Sequence, residues 1–186
     1  MKPDPSGSPT LYSVGHGMRP IEAFIELLRR GGVRRLVDIR KVPASRRNPQ
    51  YGKEALAMAL RASGIEYVWR GDDLGGFRTP KPDSRHAALR NDRFRGYADH
   101  MDTREFREGL EWLLANAAET ATAFMCAESD WHRCHRRMIS DAVLARGGHV
   151  VHLLDRGDED HVLHSDARAE DGRPVYDGDG QTTLVG

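Results

Sequence analysis

Short apolar runs alternate with amphipathic stretches along most of this chain. Thr10–Gly15 (TLYSVG) is β-prone and ends in glycine. Pro20 is suited to a first helical turn, and Ile21, Phe24, Leu27 and Leu28 then recur at helical spacing until Gly31 and Gly32 stop them. Residues 33–39 (VRRLVDI) predict a second strand. Residues 51–62 predict a helix with Leu56 and Leu60 one turn apart, and residues 65–69 (IEYVW) a third strand.

A long connection follows, punctuated by Gly71, Gly75, Gly76, Pro80 and Pro82. In a small domain such a segment is either a functional lid or disordered. Residues 86–89 predict a short helix, and Phe94, Gly96, Tyr97 and Ala98 a packed turn. Asp102 with Glu105 reads as a capping box opening a helix that carries Phe106, Leu110, Leu113 and Leu114 and ends near Ala118. Residues 121–125, continuously apolar, predict a central strand. A polar loop leads to a helix expected from about Cys134 to Ala145, and residues 149–154 predict a last strand. Beyond it, Val162-Leu163, Val175-Tyr176 and residues 183–185 are too fragmentary for a second domain and predict small strands or an extended arm.

The order β-α-β-α-β-loop-α-β-α-β, with crossover-length connections, predicts an α/β fold. Its open, mostly parallel sheet carries helices on both faces and a site at the C-terminal strand ends. Residues 1–9 read as a flexible lead, 10–154 as the domain and 155–186 as a C-terminal extension packing on or beside it.

The 28 basic and 28 acidic side chains balance, which removes the global positive field typical of strong duplex binders but leaves room for a local basic pocket. No apolar segment approaches bilayer length, and residues 1–9 lack the apolar centre of a signal peptide. Two cysteines close in sequence cannot form a disulfide framework, so free thiols in a reducing cytoplasm are expected. Neither a GxGxxG nor a P-loop motif is present, and no cofactor is implied.

Parallel strands would gather His16, Asp38, Arg40, Cys126, Glu128 and the start of the helix bearing His135 and Arg136. His16, between two glycines, suits proton transfer near neutral pH or the capping of a carbonyl. Asp38 suits orienting His16, acting as a base, or pairing with Arg40. Glu128 suits acid–base work or a loop-ordering ion pair. Cys126 at a strand end is either a nucleophile or a small buried hydrophobe. Cys134 is either an alternative nucleophile or a packing residue. Cations at a helix N-terminus oppose its dipole, so Arg136 and His135 call for an anion or for Glu128. Ser45, Arg46 and Arg47 form a basic loop suited to phosphate or simply to solvent, and Tyr51 or Trp69 to stacking on a base. Zinc has candidate donors in Cys126, Cys134 and His135. The spacing is not a finger pattern, and adjacent Cys134 and His135 diverge on a regular helix, so no metal is expected. The histidines at 149, 152, 161 and 164 read as strand-edge and tail residues.

SVGHG at 13–17, VDIRKVPASRR at 37–47, LGG at 74–76, FRGYADHM at 94–101 and CAESDWHRCHRRMISDAVLARG at 126–147 resemble the DUF488 family of small bacterial α/β proteins. The family pattern usually carries Pro where this chain has Trp131. The resemblance implies that His16, Asp38, Arg40, Ser45, Arg46, Tyr97, Cys126, Glu128, Cys134, His135 and Arg136 form a shared constellation, and it implies no reaction.

The function expected is that of a hydrolase or transferase acting on an anionic, nucleotide-like or nucleic-acid-derived substrate. His16, Asp38, Cys126 and Glu128 would carry the chemistry, and Arg40, Ser45, Arg46, Tyr97, His135 and Arg136 would bind substrate. The alternatives are a non-catalytic module for nucleic acid or an anionic ligand, and a structural or protein-interaction domain. No membrane partner is expected, and monomer and homodimer both remain open.

Overall fold

The computed structural model describes residues 10–178, so the expected lead at 1–9 and the apolar piece at 183–185 lie outside the described residues. The strands are β1 (Thr10–Gly15), β2 (Arg35–Asp38), β3 (Glu66–Trp69), β4 (Thr122–Cys126), β5 (His149–His152), β6 (Glu159–Asp160), β7 (Ala167–Glu170) and β8 (Arg173–Tyr176). Five helices stand between them: α1 (Ile21–Arg30), α2 (Lys53–Ala62), α3 (Asp92–Met101), α4 (Arg104–Glu119) and α5 (Arg136–Ala145). Six strands form one sheet in the order β3-β2-β4-β1-β5-β6, parallel except for β6, while β7 and β8 make a separate antiparallel ribbon. Among the described residues, no helix is long and apolar enough to cross a membrane.

Strand alternation sorts the core onto two faces. Tyr12, Val14, Leu36, Ala123 and Met125 face α1 and α2, meeting Phe24, Leu28, Leu56 and Leu60. Leu11, Val37, Phe124 and Val150 face the other way, against Tyr97, Phe106, Leu110, Leu113, Ile139 and Val143 of α3, α4 and α5. The register pairs Gly15 with Cys126, Asp38 with Met125 and Ser13 with both Phe124 and His152, so the strands end nearly level. After β1 the chain crosses one face toward β2. After β4 it crosses the other face toward β5. The two connections thus pass over each other's strand on opposite faces, and the C-terminal ends of β1 and β4 lie side by side.

Three local expectations change. Residues 92–101 form a helix rather than a turn. Phe94, Tyr97, Ala98 and Met101 follow the 3.6-residue period, and Asn91 caps it by accepting from the Arg93 N–H at 2.9 Å. Gly96 belongs to this helix because a Cβ there would stand 2.4 Å from the Arg78 carbonyl oxygen. The short helix expected at 86–89 does not form. The N-cap of α4 is Thr103, whose Oγ1 accepts from the Phe106 N–H at 3.3 Å. Asp102 is drawn elsewhere, taking Arg85 at 2.9 and 2.6 Å and His86 at 3.2 Å.

Residues 159–178 press onto the α5 face. Asp141 of α5, fully buried, accepts from Tyr176 Oη at 2.7 Å, from the His164 N–H at 3.0 Å and from His161 Nε2 at 2.9 Å. His161 Nδ1 lies 3.0 Å from His152 Nε2, and Trp131 stacks on the His152 ring at 4.0 Å. A buried carboxylate needs such donors, since an unpaired one is costly. Tyr176→Phe is therefore expected to lower the unfolding free energy by about 1.5–3 kcal/mol, read by urea denaturation at neutral pH. A change within error would mean that this bond does not anchor the ribbon.

Candidate functional site

At the end of β1 the backbone and the loop after β4 are almost in contact. A Cβ on Gly15 would lie 1.9 Å from the Glu128 carbonyl oxygen and 2.7 Å from Arg136 Nη2, so only glycine fits. His16 and Gly17 then donate to the carbonyls of Cys126 and Ala127 at 3.1 and 2.9 Å. The His16 ring, buried, stacks on Tyr51 with centroids 4.0 Å apart and planes 14° from parallel. Its Nδ1 is 2.8 Å from the Gly17 carbonyl and its Nε2 is 3.3 Å from Arg40 Nη1. A guanidinium only donates, so Nε2 accepts and Nδ1 carries the proton. Burial, reinforced by the nearby Arg40 and Arg136 charges, outweighs the Gly17 bond and lowers the His16 pKa to about 4.

Asp38, at the end of β2 and fully buried, is saturated with donors. Arg40 grips it from Nε at 2.9 Å and Nη2 at 2.6 Å, its backbone N–H adds a bond at 3.0 Å, and Tyr67 Oη adds one at 2.8 Å. Burial first, and then the carboxylate, pushes the Tyr67 hydroxyl well up, so it stays a donor. Asp38 does not meet His16 directly. It positions Arg40, and Arg40 meets His16. The base role expected for Asp38 is not what this geometry favours, since its oxygens have no free side for a substrate proton.

Beyond β4 the chain makes a short turn at 131–133, and Asp130 caps it by accepting from the His132 N–H at 3.0 Å. Cys134 is extended (φ −122°, ψ 149°) and α5 begins only at Arg136. Cys126 is half-buried and Cys134 buried. Their sulfurs and a ring nitrogen of His135 all lie within 4.8 Å of one another, with Cys134 Sγ 3.7 Å from His135 Nδ1. The thiol–thiol hydrogen bond raises the Cys126 pKa, with burial adding to it. The same bond lowers Cys134, helped by His135 and Arg136. Of the two thiols Cys134 is thus the more acidic, whereas the sequence left Cys126 as either a nucleophile or a packing residue and Cys134 as its alternative.

Arg136 is fully buried, yet none of its partners is a carboxylate. It donates to Ser13 Oγ at 3.1 Å and to the carbonyls of Glu128 and Ser129 at 2.5 and 3.3 Å, and its Nε has no partner. Carbonyl dipoles therefore accommodate this cation at the helix start, where the sequence called for an anion or for Glu128, whose carbonyl rather than carboxylate is the partner. Tyr97, buried, donates to the Leu74 carbonyl at 2.8 Å while its ring lies 5.0 Å from His135. Gly76 packs on the other side of that imidazole, where a Cβ would stand 3.2 Å from Nδ1. Leu74 is fully buried, so this end of the long connection is an ordered wall.

Three expected residues stand apart. Ser45 Oγ accepts from the Asn48 N–H at 3.0 Å and shapes a turn, while Arg46 is exposed. The Glu128 side chain is exposed, accepts from the Asp130 N–H at 3.2 Å and, among the described residues, has no cation within ion-pair distance; its carbonyl is the part that meets the cluster. Conversely, Ser13 was read only as part of a strand and of the SVGHG motif, Tyr67 only as part of a strand, and Tyr51 as a helix start and a stacking platform for a base. None of the three was expected at the site, and Ser13 stands opposite Phe124 in the strand pairing. Two cavities, of about 370 Å³ beside Arg61 and Tyr67 and about 640 Å³ beside Arg90 and Arg137, are not lined by His16, Arg40 or either cysteine.

A family model described as a domain of unknown function, DUF488, matches residues 20–143, well over half of the 186-residue chain. The chain belongs to the DUF488 family. The match takes in Asp38, Arg40, Tyr97, both cysteines, His135 and Arg136, while His16 stands just before it. No curated protein and no solved structure matches the chain. DUF488 membership thus supports the resemblance seen in the motifs and carries no reaction with it.

The buried histidines make stability sensitive to acid. Burial holds His16 near 4 and His152 near 2, both below the ordinary 6.5, so the folded chain keeps them neutral while the unfolded chain protonates them. Stability is then fully present above about pH 6.5 and is lost as pH falls toward those values. Each histidine contributes up to about 1.4 kcal/mol per pH unit below 6.5, so the unfolding free energy is expected to drop by roughly 4 kcal/mol between pH 7 and pH 5. Denaturant midpoints at the two pH values test this; equal midpoints would contradict the burial of neutral imidazoles.

Proposed function

We propose that this DUF488 protein is a small hydrolase or transferase acting on an anionic substrate, nucleotide-like or derived from nucleic acid. The observation that carries the reading is His16: a neutral imidazole of defined tautomer, fixed at the adjoining ends of β1 and β4, with Nε2 toward a cation. A base with a low pKa is unprotonated throughout the neutral range, and its long bond to Arg40 is one a substrate group can replace. In this reading His16 Nε2 takes the proton from the attacking group. Arg40, held by Asp38 and Tyr67, stabilises the charge that develops. Asp38 is a positioning residue, and Cys126 shapes the pocket. Arg46, exposed on the basic loop between Pro43 and Pro49 together with Arg47, would meet the substrate anion. Two free thiols suit a reducing compartment, and we place the protein in the cytoplasm.

Because Arg40 and Arg136 are buried and already partnered while Arg46 is exposed, a second reading is also favoured, a non-catalytic module for an anionic ligand or nucleic acid. A turnover screen over metabolites and oligonucleotides separates the two. If the enzyme reading holds, His16→Gln lowers kcat by about 10²–10⁴-fold, and Asp38→Asn lowers it with an altered pH profile. The wild-type kcat/KM should be flat from neutral pH down to about 5 and fall with an apparent pKa near 4. Turnover unchanged in His16→Gln would overturn the catalytic assignment. Binding without turnover, weakened by Arg46→Ala alone, would establish the module instead. In the enzyme, Arg46→Ala is expected to raise KM about tenfold while leaving kcat in place.

A further inference from the structure

The loop that joins β4 to α5 brings together the softest donors in the chain. On a regular helix Cys134 and His135 would point apart. Cys134 is instead extended and His135 sits at the N-cap of α5, so the sulfur and the imidazole converge, and the loop folds back to bring Cys126 beside them. All three donor atoms lie within 4.8 Å of one another and the Cys134–His135 pair is at 3.7 Å. Around tetrahedral zinc, with Zn–S near 2.3 Å and Zn–N near 2.0–2.1 Å, neighbouring donors stand about 3.5–3.8 Å apart. The cluster is already close to that spacing.

The donors are held as well as near. The Cys126 carbonyl accepts from His16, the Cys134 N–H donates to Trp131 at 3.2 Å, and Arg136 clamps the loop between them. His135 gains little from the protein alone. Its Nδ1, the nitrogen that faces the cluster, meets only the Cys134 sulfur among the described residues, so its lone pair is available to a cation. Charge points the same way. A divalent cation with two thiolates and a neutral imidazole is electrically neutral, so it can be buried. Arg136, which lacks a carboxylate partner among the described residues, would balance an anion in a fourth position.

We propose that Cys126, Cys134 and His135 form a binding site for one soft divalent cation, zinc by its donor chemistry, with three protein ligands and one open position. Two sulfurs and one nitrogen select zinc over magnesium or calcium. Three protein donors are the number found in catalytic rather than structural zinc centres. The thiol protons leave to solvent as the cation binds.

The full chain, freed of metal by chelation and kept in a phosphine reductant, is titrated with Co²⁺. One equivalent is expected to bind with a thiolate-to-cobalt charge-transfer band and the intense d–d bands of tetrahedral cobalt, and Zn²⁺ to displace it. Cys134→Ser and His135→Ala are each expected to weaken binding by at least about a hundredfold. Should a variant not fold, the wild-type chain still decides: Zn²⁺ must slow alkylation of both cysteines by iodoacetamide. A folded wild-type chain without the charge-transfer band, or thiols that react equally fast with and without Zn²⁺, overturns the site. Because the readout is binding, this result and that of the turnover screen stand or fall separately.

Discussion

The packing of Gly15 against the Glu128 carbonyl, with no room for a Cβ, is the constraint from which the candidate site follows. A side chain at residue 15 would push the loop after β4 away from β1. With glycine there, the loop lies against the strand end and Arg136 closes over the junction, bonding Ser13 on one side and the carbonyls of Glu128 and Ser129 on the other. A fully buried guanidinium without a counter-charge is expensive to hold. It is tolerated because three oxygens meet it and because it joins two segments that the sequence keeps far apart. Everything around it inherits that geometry: His16 docks on the Cys126 and Ala127 carbonyls, and the cysteine loop is bent back on itself.

Around this junction the polar groups are arranged in two tiers. The inner tier is committed to structure: Asp38 is filled by Arg40 and Tyr67, Arg136 by its carbonyls, and Asp141 by Tyr176, His161 and the His164 N–H. Buried networks this densely bonded fix a local geometry, although Arg136 Nε stays without a partner. The outer tier retains unused capacity. The His16 Nε2 bond is long, the Cys126 thiol is half-buried, and His135 has a ring nitrogen without a partner. The groups best placed to act are therefore not the ones with the strongest-looking charges.

That distinction separates two kinds of residue the chain presents in similar terms. Arg40, Arg46 and Arg136 are alike as letters, yet two are buried in internal contacts and one is exposed. Asp38 and Glu128 are both carboxylates near strand ends, yet one is buried under four donors and the other lies on a loop surface. The environment, rather than the residue type, sets each role.

The sequence by itself determined the layered α/β architecture and most strand positions, because apolar period and glycine punctuation are local properties of the chain. It also brought His16, Asp38, Arg40 and Cys126 toward one edge, since parallel strands joined by helices must end together. Tertiary structure decided the rest. Asp102 lost the cap of α4 to Thr103 because Arg85 and His86, distant in sequence, attract its carboxylate. The helix at 92–101 was legible in Asn91 and the spacing of Phe94, Tyr97, Ala98 and Met101, but Gly96 masked it until the close packing on Arg78 showed why glycine is there. Cys134 left the helical conformation, and so met His135 and Cys126, because the loop is clamped to β1. Periodicity is written in neighbouring residues; which distant donor fills a buried acceptor is settled only when the chain has folded.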